Sequence, residues 1–180
     1  MGPQPPSKNC DCSFASLVLY IQAQIIVGVK SLEYREARVK DLESLMGLCV
    51  MFHGESRWVD YELCLKKLGS FIVSFIEGSD RVVFVAERDG VLVGCIFGEL
   101  TSMFWSNDLS VYDRMWYVEP DNRGTLVGVR LLKSLIDWSR ARGAKEFFVG
   151  HSSGIARGRS DLLLRRLGLD SVATLYGRIL

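Results

Sequence analysis

The sequence predicts an α+β fold, a mixed β-sheet flanked by helices, with its elements in the order β-α-α-β-β-β-α-β-α-β. Three observations lead there. Short stretches rich in β-branched and aromatic residues are bounded by turn signals. Longer stretches place apolar residues three and four apart, the spacing of one helical face. The two kinds of pattern follow one another in that order along residues 32–180, with no internal repeat.

Residues 32–38 (LEYREAR) alternate apolar and charged side chains, as a half-buried strand does. Asp41 stands near a helix start, and Leu42, Leu45, Met46, Cys49 and Val50 carry the helical spacing as far as Met51. Residues 53–58 (HGESRW) break it at a glycine. A second helix is predicted over 61–76, with Leu63, Leu65, Leu68, Phe71, Ile72 and Phe75 in one apolar stripe. After a turn at 77–80, residues 82–87 (VVFVAE) and 91–100 (VLVGCIFGEL) are strands joined by a hairpin at Arg88-Asp89-Gly90. A loop over 101–108 carries Phe104 and Trp105 and leads to the strand 112–118 (YDRMWYV). The helix 125–142 buries Leu131, Leu132, Leu135 and Ile136 and stops at Gly143. Residues 146–149 (EFFV) form a strand, 160–167 a short helix capped by Gly168, and 171–180 a closing strand.

A chain of 180 residues with 48% hydrophobic and 24% charged residues fits one ordinary globular domain. At that length the core alone stabilises the fold without disulfides or metal. The five cysteines are scattered: Cys49, Cys64 and Cys95 lie in apolar runs, and Cys10-Asp11-Cys12 with only two histidines makes no zinc site. Reduced thiols imply a cytosol-like, cytoplasmic setting. Residues 1–30 are an N-terminal extension, disordered or loosely packed, before the domain at 31–180. Its apolar stretch 14–29 contains Gln22 and Gln24 and falls short of the roughly 20 residues a membrane span needs. A signal peptide or membrane anchor is the less favoured reading. The net charge of +1 divides unevenly, with 9 Lys/Arg and 15 Asp/Glu in residues 31–120 against 11 and 5 in 121–180. A basic half suits a polyphosphate ligand and an acidic half a cationic amine, although solvated faces explain the split equally well. Without a dense basic stripe, nucleic acid is not expected as a partner. The oligomeric state is open, a homodimer included.

The informative stretch is Tyr117-Val-Glu-Pro-Asp-Asn-Arg-Gly-Thr-Leu-Val-Gly-Val-Arg-Leu-Leu132. A strand ends, Pro120 breaks it, and a glycine-containing loop opens a long helix. The first N–H groups of a helix have no intrahelical partner and sit at the positive end of its dipole, so such a junction binds phosphate oxygens. Gly124 allows close approach and Arg123 adds a charge.

Arg123-Gly124 and Gly128 ahead of an amphipathic helix resemble the acyl-CoA pyrophosphate motif of the GNAT acyltransferase superfamily, and the element order is similar to that fold over residues 32–180. The family pattern Arg/Gln-x-x-Gly-x-Gly/Ala is met at Arg123 and Gly128, while Leu126 stands where the middle glycine lies. Residues 53–58 and Phe104-Trp105-Ser106 resemble a subgroup found in phage and bacterial genomes. The resemblance implies an acetyl-CoA-dependent N-acetyltransferase acting on a small-molecule or peptide amine by direct attack in a ternary complex. The alternative is a catalytically silent acyl-CoA-binding or interaction module. Coenzyme A would lie against Trp116, Tyr117, Val118, Arg123, Gly124, Thr125, Leu126, Val127, Gly128 and Val129, with its pantetheine arm beside the strand like an added strand. Members often carry a tyrosine in the last helix that protonates the departing thiolate. Here the matching residue is Leu164, which leaves water, Ser152, Ser153 or Tyr176.

An attacking amine must lose a proton, so a carboxylate near the fourth strand is expected. Asp113, placed by alternation on the face of Met115 and Tyr117, is the first candidate base, and Glu99 the second. Glu55, Arg57 and Trp58 lie in the loop that borders the acceptor cleft in this family and are candidate substrate contacts. His53 reads as structural and His151, next to the strand 146–149, as either. No cluster of residues suggests a metal.

Overall fold

The computed structural model describes residues 31–155 and 157–178, apart from the side chains of Arg157 and Arg159. The expectations for residues 1–30 lie outside the described residues. Within the unit Leu32–Leu180, strand β1 (Leu32–Glu36) is followed by a short 3-10 turn (Val39–Asp41) and helix α1 (Leu42–Glu55). Helix α2 (Leu65–Glu77) and strands β2 (Arg81–Arg88), β3 (Val91–Ser102) and β4 (Leu109–Val118) come next. A 3-10 turn (Pro120–Asn122), helix α3 (Val127–Ala141), strand β5 (Glu146–Phe148) and helix α4 (Arg157–Arg166) complete the described elements.

The five strands form one sheet in the order β1-β2-β3-β4-β5. The first four are antiparallel and β5 joins β4 in parallel. Asp89 and Gly90 take φ of 52° and 83°, the left-handed pair that turns a two-residue hairpin. Arg35 ties β1, the first 3-10 turn and β2 together through Asp41 at 2.7 Å and Glu87 at 2.5 Å.

Alternation along the strands divides the core into two layers. On one face Leu45 of α1 and Ile72 and Phe75 of α2 pack with Val83, Val85, Cys95, Phe97, Met115 and Tyr117 of the sheet. On the other face α3 packs Val127, Leu131, Leu132 and Leu135 onto Ile96 and Val111. Gly98 sets how closely α3 lies on β3, because a Cβ there would overlap Leu135. Gly98→Val is therefore expected to destabilise the fold by about 1–3 kcal/mol through overpacking, measured as a lower midpoint in urea unfolding.

Several boundaries differ from the sequence expectation: α1 runs on through Gly54 to Glu55 where a break was expected, and β4 begins at Leu109, not 112. Residues 61–64 stay outside α2, since Tyr61, Glu62 and Cys64 are exposed and bury nothing against the sheet. Helix α4 begins at residue 157, not 160. The closing strand is absent from the described part of 171–180: Val172, Leu175 and Tyr176 are 71%, 82% and 89% exposed. Strand propensity reflects packing against neighbouring strands, and β5 offers only three residues of edge.

Candidate active site

Strands β4 and β5 pair only between Ser110–Tyr112 and Glu146–Phe148. Beyond Tyr112, β4 continues to Val118 along β3 while β5 has ended, so the two strands part. A cleft of about 490 Å³ opens at this fork. Its walls are Asp113, Trp116, Tyr117 and Val118 from β4, the loop into α3, residues 150–153 after β5, Phe52 from α1, and Ser160 and Leu163 from α4.

Asp113 sits at the apex. The β3–β4 register slips there, with Phe97 opposite Met115 but Gly98 opposite Asp113, so Arg114 is an extra residue in β4. The bulge reverses the side-chain alternation. Asp113 shares the face of Gly98, which looks onto α3, and not the face of Met115 and Tyr117 as simple alternation had placed it. Its Oδ1 accepts the Gly150 N–H at 2.7 Å, which spans the fork. Burial pushes the carboxyl up to about 6, against the opposing pull of the Gly150 N–H and Arg114.

The junction into α3 has the expected form. Arg123 is extended, Gly124 turns at φ 77°, and Leu126 caps the helix at φ −75°, ψ −2°. Leu126 thus adopts the helical backbone without strain, and its side chain is 62% exposed. The Thr125 hydroxyl donates to the Asn122 carbonyl at 2.6 Å and accepts the Val127 N–H at 3.3 Å. Val127 is wholly buried in the core and does not line the cleft, whereas Gly124, Thr125, Leu126, Gly128 and Val129 do. A Cβ at Gly128 would stand 3.2 Å from Cζ2 of Trp116, so glycine lets α3 start close against β4.

The remaining candidates separate. Glu99 lies outside the cleft lining, its carboxylate held between Arg81 at 3.0 Å and Arg114. Both ion pairs engage it on the sheet, away from the cleft. Glu55, Arg57 and Trp58 are not in the lining either. Glu55 bonds Tyr117 and Arg123; the Arg57 N–H donates to the Ser153 carbonyl at 2.8 Å; the Trp58 ring leans on Phe52, 6.3 Å between centroids. Glu55 closes α1 and does not lie in the loop where the sequence placed it, and the loop that carries Arg57 and Trp58 is fastened to the cleft rim at Ser153. His53 is outside the lining and His151 within it, as are Ser152 and Ser153. Tyr176 is exposed and outside it.

Leu164 is 7% exposed in the core, and the residues of α4 that reach the cleft are Ser160 and Leu163. Sequence reasoning missed both, and also Phe52 and Asn122. The spacing from Ser160 to Leu163 to Leu167 was a helical stripe that could have marked the first two. Among the described residues no group of three or more His, Cys, Asp and Glu could hold a metal, and no helix is long and apolar enough to cross a membrane.

The model of the acetyltransferase (GNAT) family matches residues 49–157. No curated protein sequence matches significantly. Among solved structures, an acetyltransferase of Trypanosoma brucei is similar at 20% identity, with 83% of this chain and 100% of that one covered at a TM-score of 0.65. The aminoglycoside N-acetyltransferase AAC(6')-Iy in complex with CoA shares 16% identity over 83% and 95% of the two chains, at 0.68. Glucosamine-6-phosphate N-acetyltransferase from Arabidopsis thaliana shares 14% over 83% and 99%, at 0.67. At these identities the likeness is one of fold.

Proposed function

The chain belongs to the GNAT acetyltransferase family, and on that premise we propose that it transfers an acetyl group from acetyl-CoA to a primary amine of a small molecule or peptide. Attack is direct, with both substrates bound. The observation that carries this reading is the N-terminus of α3 opening onto the parted strands with Asp113 at their fork.

The residues present fit coenzyme A. The first-turn N–H groups of Gly128 and Val129 have no partner inside the helix and border the cleft, where they can take pyrophosphate oxygens. Gly124 has nothing within 4 Å of a Cβ position, so a phosphate can approach its backbone. The β4 edge at Trp116, Tyr117 and Val118 can take an extended pantetheine chain as a further strand. Buried Asn122 Oδ1 and Trp116 Nε1 have no hydrogen-bond partner among the described residues, and both residues line the cleft. Bound acetyl-CoA supplies the acyl group as an activated thioester.

Asp113 takes the proton from the attacking amine. A carboxyl with a pKa of about 6 is largely ionised at pH 7 yet basic enough to accept a proton. Ser152, Ser153 and Ser160 line the same cleft, which supports a serine hydroxyl as the proton donor where Leu164 has none. Aminoglycoside and glucosamine-6-phosphate acetyltransferases among the similar structures support an amine on a small polar molecule as the acceptor class.

Isothermal titration with CoA, followed by thiol release from acetyl-CoA over a panel of amines, tests the proposal. Saturable CoA binding and amine-dependent thiol release are expected. Binding without turnover on any amine rejects transfer, and absence of binding rejects the site.

A further inference from the structure

Arg123 does not point its charge at the helix N-terminus. Its Nε–H donates to the Val118 carbonyl at 2.8 Å, and its two terminal nitrogens donate to both oxygens of Glu55, at 2.7 and 2.9 Å. The guanidinium lies over the Tyr117 ring, 5.3 Å from its centroid. The Tyr117 hydroxyl donates to the same Glu55 carboxylate at 2.5 Å. Tyr117 belongs to the core layer under α1 and α2, whereas Trp116 and Val118, which face Gly128, pack on the α3 layer. The arginine thus lines the cleft and at the same time reaches round the end of β4 to Glu55, where its guanidinium is fastened.

Glu55 is the last residue of α1 and immediately precedes the segment that bonds Ser153 on the cleft rim. Through Glu55, the end of β4, the loop 123–126 and the end of α1 share one charge-assisted cluster, and bidentate pairs of this kind are the stronger, directional ones. The Glu55 carboxyl is held below its ordinary range chiefly by the hydrogen bonds from Arg123, so it stays ionised across neutral pH.

We propose that Glu55 is a positioning residue for cofactor binding: by clamping Arg123 and Tyr117 it holds the phosphate-binding loop in its bound shape before CoA arrives. A loop already ordered loses less freedom on binding, and that saving appears as affinity. The proposal rests on the CoA reading of the cleft. It departs from a substrate-contact role for Glu55 and from a phosphate-ligand role for Arg123.

The test compares Glu55→Gln and Arg123→Lys with the unchanged protein in two measurements. Amide hydrogen exchange of residues 123–128 is followed without ligand, and CoA affinity by titration calorimetry. Both variants are expected to speed exchange of the loop and to weaken CoA by about tenfold. Lysine keeps the charge but not the fork of donors. Full CoA affinity in Arg123→Lys would make Arg123 a point-charge phosphate ligand and overturn the proposal. A higher KM for the amine with unchanged exchange and CoA affinity in Glu55→Gln would make Glu55 an acceptor contact, and tighter CoA binding would make it a mask over Arg123; either overturns it. If the unchanged protein binds no CoA, the functional reading fails, while the exchange of the free loop still decides whether Glu55 orders it.

Discussion

Asp113→Asn is expected to lower turnover by about 10²–10⁴-fold, the usual loss on removing a general base, with CoA affinity nearly unchanged. The unsubstituted enzyme should lose kcat/KM below about pH 6 as the carboxyl takes up its proton. In the asparagine variant that limb disappears; ionisation of the amine itself is common to both proteins and cancels in the comparison. Stability moves the other way. The folded carboxyl titrates at about 6, whereas an unfolded aspartate titrates near 3.9. The native state therefore holds this proton more tightly, and stability falls as pH rises from about 4 to about 6. Above that the buried carboxylate costs on the order of 2–3 kcal/mol. Asparagine escapes this cost and can still accept the Gly150 N–H, so the variant should melt several degrees higher near neutral pH. A slower, more stable enzyme is the signature of a group kept for chemistry at the expense of stability. Unchanged turnover with an unchanged pH profile would remove Asp113 from the mechanism.

Gly128→Asp should weaken CoA by about 100-fold or more, roughly 3 kcal/mol. Two effects combine. A Cβ at this position meets the Trp116 ring at 3.2 Å, so the ring must give way in the cleft wall. A carboxylate in the first turn of α3 also occupies the positive end of the helix dipole, which favours the helix but repels a second anion. The protein should thus fold normally and fail to bind. Gly128→Ala brings the crowding without the charge and should cost only a few-fold. Titration calorimetry on both variants separates the two effects, and full affinity in the aspartate variant would place the phosphates elsewhere.

Much of the fold was legible because burial imposes periodicity. The stripes of α1 and α3 and the alternation of β2 and β3 exist to cover two faces of one sheet, and they can be counted without coordinates. The hairpin at Asp89-Gly90 and the stop at Gly143 were equally legible, since each needs a left-handed backbone that few residues accept. The closing strand was not, because a strand depends on an edge elsewhere in the chain.

The strand-to-helix junction at Val118–Gly128 is what the sequence by itself determined about this site: a broken strand, a glycine turn and a helix start are local events, each dictated by neighbouring residues. Tertiary structure decided the rest. It turned Asp113 to the α3 face, because one extra residue in β4 reverses the alternation on which the sequence reading relied. It buried Val127 and Leu164 and sent Ser160 and Leu163 to the cleft, because the faces of α3 and α4 are set by what they pack against. It also tied the Arg123 guanidinium to Glu55, a residue 68 positions away. No local pattern encodes such a pair; it forms only when the end of α1 is brought to the end of β4.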